Sequence, residues 1–192
     1  MSTYHTVLYL HLLSLLFAFV AVAIMGLCLF RLRAAETLAE AGPWGMLAGK
    51  TEKLFPVAIL GLFVTGAYMT TDVWTWSTGW IDVSIAGLAL LALQGPVVAG
   101  ARAKALEHAL VTNGPGALGE DARRMTRDPL LWIITFASPG IALGITWNMT
   151  QKPGVAASIA AIVVAYAVGA ALALYFSRAP AVDTSSVGHP AA

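Results

Sequence analysis

The sequence predicts an all-α integral membrane bundle of five transmembrane helices, and three observations carry that prediction. Of the 192 residues, 58% are hydrophobic and only 11% are charged, whereas a soluble domain covers its surface with roughly 25% charged residues. The apolar residues gather into five blocks, at about 6–30, 54–71, 82–101, 129–148 and 155–176, each near the roughly 20 residues that cross about 30 Å of hydrocarbon. Within the blocks apolarity is continuous, without the alternation of a barrel strand.

Taken in order, the first block has the apolarity of a secretion leader but the wrong charge order. No Lys or Arg precedes it, and Arg31 and Arg33 follow it directly, so it reads as a retained helix with its N-terminus outside. "RLRAAETLAEA" extends this helix and is expected to stop at "GPWG", where Gly42 and Pro43 break helices. After the third block, "RAKALEHAL" prolongs the helix and "NGPG" ends it. "GEDARRMTRDP" then opens a new helical segment with its acidic residues first, and Asp128 and Pro129 suit the N-cap and first position of helix four. Pro56, Pro96 and Pro139 predict local kinks. Residues 1–178 form one transmembrane domain, and the Pro-, Ala- and Ser-rich tail 179–192 is expected to be disordered.

The basic residues orient the bundle. Arg31, Arg33, Lys50 and Lys53 lie in the first loop, and Arg102, Lys104, Arg123, Arg124 and Arg127 in the third, with Arg178 after helix five; the opposite loops hold only Lys152. The positive-inside rule makes the rich side cytoplasmic, which places the N-terminus outside, the C-terminus inside and the chain in a bacterial cytoplasmic (inner) membrane. Trp74, Trp76, Trp80 and Trp147 mark the outer boundary, and Trp132, Tyr175 and Phe176 the inner one, as amphipathic rings favour the headgroup level.

Helices two and three resemble helices four and five. "YMTTD" aligns with "NMTQK", and "SIAGLALLALQG" with "SIAAIVVAYAVG", a candidate parallel repeat. Helix five also carries a small residue at every fourth position: Ala157, Ala161, Ala165, Gly169, Ala173 and Ser177. Such a ridge allows close backbone approach, to another helix of this chain, to a second copy or to a membrane partner. The lipid bilayer is the expected surrounding, and nothing points to nucleic acid. The single cysteine, Cys28, excludes an internal disulfide and reads as a buried structural thiol.

Phosphate loops, zinc spacings and nucleophile triads are absent from the sequence, so no catalytic residue is assigned. Gln94 is the deepest polar group besides His11 and is expected to bond to a neighbouring helix. His11 lies roughly 8 Å inside the outer end of helix one, at about 1.5 Å per residue. Ionisable groups within spans face the bundle interior or serve function, so His11 is either a hydrogen-bonded imidazole or part of a site. Met69 and Met149 end helices two and four at the same depth, and His5 lies just outside helix one. Imidazole with thioether suits Cu(I), and His with Met also suits haem iron. The candidate set is therefore His11, Met69 and Met149 for a cofactor, with His5 added for a metal. His108 and His189 fall in solvated segments.

"YLHLLSLLFAFVAVAIMG" is similar to the opening of bacterial copper-resistance protein D-like membrane proteins, with His11 at the matching position and Ala and Val where a mid-helix glycine pair is expected. "ILGLFVTGAYM" and "DPLLWIITFASPGIALGITWNMTQKPGVAASIAAIVVAYAVG" resemble an uncharacterised family of polytopic bacterial membrane proteins with a Met-Thr-x-Lys-Pro turn. That resemblance covers most of residues 6–176 and implies a multi-pass protein without established catalytic residues. The expected function is a non-enzymatic accessory, scaffold or small-solute-handling component. The alternatives are a Cu(I)-handling or haem-binding protein using His11 with Met69 or Met149, and a small transporter.

Overall fold

The computed structural model describes residues 3–95, 100, 104, 105, 108 and 116–178. Most of the end of the third block, with Pro96, the first three residues of "NGPG" and the tail lie outside the described residues. The described chain is helical: α1 (Thr3–Ala34), α2 (Leu38–Glu52), α3 (Leu54–Val73), α4 (Gly79–Gln94), α5 (Glu120–Thr126), α6 (Pro129–Gln151) and α7 (Val155–Arg178). No strand occurs among the described residues, only an isolated antiparallel bridge between Thr37 and Ala117.

Four helical stretches are long and apolar enough to cross a membrane: Thr3–Ala34, Leu38–Val73, Glu120–Gln151 and Val155–Arg178. The described part of the third block, Gly79–Gln94, is shorter; its 16 residues rise about 24 Å. Large apolar side chains cover the outside of the bundle. Val57 is 71% exposed and Val164 61%, with Leu16, Phe17, Leu60 and Val163 similarly open. That surface suits lipid, whereas a water-soluble monomer rarely exposes so large an apolar area.

Helix boundaries differ from expectation at one place. The chain turns at 35–37, and α2 then runs through Gly42 and Pro43. Thr37 is the reason: its hydroxyl accepts from the Glu40 amide at 3.3 Å, and the Glu40 carboxylate accepts from the Glu36 amide at 2.9 Å. This is a capping box in which the acid reaches the amide one residue before the cap. Pro43, exposed and in the second turn, removes a single intrahelical bond, and the helix continues. Pro56 causes no loss either, because it is the third residue of α3, where the amide has no intrahelical acceptor. Asp128 caps α6 as expected, accepting from the Leu130 amide at 3.0 Å, with Pro129 at the first position.

α6 and α7 form the tightest pair. A Cβ on Gly140 would strike the Ala165 carbonyl, one on Gly144 would lie 2.6 Å from the Ile162 Cα, and one on Gly169 would strike the Phe136 carbonyl. The small-residue ridge of α7 is thus occupied from Ala165 to Ala173 by α6, while Ala157 is exposed. α3 and α4 touch only slightly, although the repeat aligns them with α6 and α7. In that alignment Leu60 and Val64 stand where α6 has Gly140 and Gly144, so close approach is blocked. α3 packs on α1 instead, and α4 packs on α6 and α7.

The Arg-rich end is closed. Phe30, Trp132, Phe136 and Phe176 form an aromatic cluster, with Arg33 over Trp132 at 5.3 Å and bonded to the Phe176 carbonyl. Trp132 is therefore a core residue rather than a boundary anchor: it is fully buried, and its indole donates to the Thr126 carbonyl at 2.9 Å. Leu32, Ala41, Leu118 and Ala122 make a second small core beneath α2 and α5. Cys28 is free and buried, and Gln94 accepts from the Ser138 hydroxyl at 3.1 Å.

Candidate functional site

The opposite end is open. Because α1 pairs with α3 and α4 pairs with the α6–α7 hairpin, with little contact between the two groups, a cavity of about 330 Å³ remains at the seam. Its walls are leucine, isoleucine and aromatic side chains. It extends from buried His11 to the exposed residues Trp76, Thr150 and Lys152 at the α3–α4 and α6–α7 connections. An apolar cavity with a few polar groups is the usual form of a small-molecule site.

His11 stands where α1 meets α3. The approach is close because Gly61 has no side chain: a Cβ there would lie 2.5 Å from the Ser14 hydroxyl. The imidazole is 4% exposed, and its Nδ1 lies 2.8 Å from the Thr65 hydroxyl oxygen. Thr65 donates its own hydrogen to the Gly61 carbonyl one turn back. With the hydroxyl hydrogen on Gly61, the oxygen accepts from Nδ1 and the lone pair lies on Nε2; the ring's tautomer decides which group donates. That Nε2 is buried and has no hydrogen-bond partner.

Four hydroxyls along the cavity donate to backbone carbonyls of their own helices. Thr70 donates to Gly66 at 2.9 Å, Ser84 to Trp80 at 2.7 Å, Thr146 to Ala142 at 2.8 Å and Thr150 to Trp147 at 2.9 Å. Tyr4 and the indoles of Trp74, Trp76 and Trp80 add further hydrogen-bond donors to the lining. No carboxylate is among the described lining residues; Asp72 and Asp82 are exposed. At the mouth, Trp74 and Trp80 meet edge to face at 5.5 Å, and the Lys152 ammonium stands 4.6 Å over the Trp74 ring. Lys152 holds this place from a left-handed backbone (φ 50°) that caps α6.

The structure brings His11, Met69 and Met149 to this one cavity. It does not bring His5, which is exposed and set edge-on to Tyr4 at 6.0 Å; six residues at about 100° each turn it to another face of α1. No group of three or more His, Cys, Asp or Glu side chains fit to hold a metal occurs among the described residues. No known protein family, curated protein or solved structure matches this chain. Sequence reasoning missed Thr65, which pairs with His11, and the place of Lys152 and three tryptophans around the mouth. Nothing local marks Thr65: it lies 54 residues from His11, and only the rotation of α3 against α1 joins them.

Proposed function

We propose that the chain is a five-span, non-enzymatic protein of a bacterial cytoplasmic membrane, with its N-terminus outside, that holds a small solute in the cavity around His11. The observation that carries this reading is the apolar cavity of about 330 Å³ that reaches from the buried His11 to the open end of the bundle. The five-span count rests on the sequence, since the third block runs beyond Gln94. A stability screen tests the reading. Full-length protein in nanodiscs is heated with a panel of small apolar solutes bearing different polar heads. At least one is expected to raise the unfolding midpoint saturably, and not in Ser84→Leu, which fills the cavity. A panel without effect on the wild type contradicts the reading.

A second reading is favoured by one observation: an imidazole nitrogen and two thioethers, Met69 and Met149, line the same cavity with no carboxylate among the described lining residues. Soft donors of this kind suit Cu(I), and a His–Met pair suits haem iron. This reading predicts stoichiometric copper or a Soret band in the purified protein, lost in His11→Ala. Colourless, metal-free protein that takes up neither on incubation contradicts it. A small transporter is the least supported role, because proton relays use intramembrane carboxylates or histidines and the described lining holds His11 without a carboxylate or a second histidine.

A further inference from the structure

The small-solute reading leaves the ligand's chemical class open, and the lining narrows it. We propose, resting on that reading, that the cavity takes a single-chain fatty carboxylate of about a dozen carbons, its head at Lys152 and its chain running inward toward Leu15 and Leu91.

Size comes from the walls. The lining runs from Tyr4 to Leu15 on α1 and from Trp80 to Leu91 on α4, in each helix eleven steps of about 1.5 Å, or about 16 Å. Carbon–carbon bonds of about 1.5 Å at near-tetrahedral angles advance about 1.25 Å each, so about a dozen extended carbons cover that depth. Volume agrees. A cavity of about 150 Å³ admits the six carbons of benzene, and about 330 Å³ takes about twice as many. The two acyl chains of a phospholipid do not fit. The head follows from the mouth. Surrounding lipid is as apolar as the cavity walls, so a chain entering from the bilayer gains little by burial and the head decides selectivity. Lys152 is the only Lys, Arg, Asp or Glu among the described lining residues; Asp72 and Asp82 are exposed and not among them. A cationic head would meet the Lys152 ammonium, which already covers Trp74 at 4.6 Å. A carboxylate instead meets donors: the ammonium, the Tyr4 hydroxyl and the indoles of Trp74, Trp76 and Trp80. Because Lys152 and Trp76 are exposed, the head keeps contact with water and its charge is not buried.

The test compares two chains of one length and different heads, dodecanoate and 1-dodecanol. The full chain is placed in phosphatidylcholine nanodiscs at about pH 8.5, where carboxylic acids are ionised. The unfolding midpoint is followed against the mole fraction of each probe in the lipid. Dodecanoate is expected to raise the midpoint saturably, with half-saturation at about a tenfold lower mole fraction than dodecanol, the effect of about one charge-assisted hydrogen bond. Lys152→Gln should bring dodecanoate to the level of dodecanol and leave dodecanol unchanged, while Lys152→Arg, which keeps the charge, retains the preference. Equal half-saturation in the wild-type chain, or a preference that survives Lys152→Gln, overturns the proposal and leaves the small-solute reading standing. So does loss of the dodecanoate effect when phosphatidylglycerol replaces part of the lipid, since the mouth would then hold a lipid phosphate. No effect of either chain overturns the proposal, and a stability screen silent for every solute overturns the small-solute reading with it. The wild-type comparison decides the matter even if Lys152→Gln does not fold.

Discussion

At the scale of single residues, His11 is held by one hydroxyl. Thr65 bonds Nδ1 across the α1–α3 contact at 2.8 Å. Thr65→Val keeps the side-chain shape and removes the partner. It is expected to destabilise the folded protein by about 1 kcal/mol, near the average of interhelical hydrogen bonds, while Thr65→Ser stays close to wild type. Thermal unfolding in detergent measures both, and an unchanged midpoint in Thr65→Val would contradict this role. The ligand candidates were partly legible in the sequence. Depth along a helix follows from counting residues, so His11, Met69 and Met149 could be placed at one level. Which of them share a cavity depends on helix rotation, and His5 shows the consequence: it is near in sequence and on another face.

At the scale of elements, the α6–α7 hairpin is held by backbone contact and the α1–α2 joint by a cap. Gly144→Val would place methyl groups against the Ile162 backbone, where a Cβ alone already lies 2.6 Å from the Cα. Such overpacking is expected to destabilise by about 1–3 kcal/mol or more. Gly49 is the contrast: it sits in α2 with nothing near its Cβ direction, so Gly49→Ala is expected to be neutral or to stabilise by about 0.5–1 kcal/mol. Unfolding midpoints of the pair check both, and a tolerated Gly144→Val would mean the hairpin packs otherwise. The cap at Thr37 and Glu40 was readable as a Thr-x-x-Glu signature, yet Gly42 and Pro43 were the stronger local signals. Their effect is small because Pro43 sits early in an exposed helix. The tight hairpin was visible as a ridge of small residues; its partner was not, because a small residue permits close approach without naming the helix that approaches.

At the scale of the whole molecule, two tightly packed groups of helices meet loosely, and the seam closes at one end and opens at the other. Aromatic packing with Arg33 closes the first; the cavity occupies the second. The all-helical, membrane-crossing character was legible from composition and block length, because both follow from the bilayer as solvent. The seam was not, since it arises from the unequal packing of two hairpins with similar sequences. Orientation is testable in a Cys28→Ala background. A cysteine replacing Ser77, exposed between α3 and α4, should react with an impermeant thiol reagent in intact spheroplasts. Reaction only after lysis would reverse the proposed orientation.

The central claim is that this open end of the bundle leads to His11. The most direct measurement is the reaction of Met149→Cys, in the same background and the same spheroplasts, with a small charged thiol reagent, and its slowing by a solute found to stabilise the protein. Met149 is only partly exposed and lies along the cavity. The account predicts reaction slower than at Ser77→Cys and protection at saturating solute, with Ser77→Cys unprotected. No reaction at Met149→Cys while Ser77→Cys reacts, or reaction that the solute leaves unchanged, would contradict it.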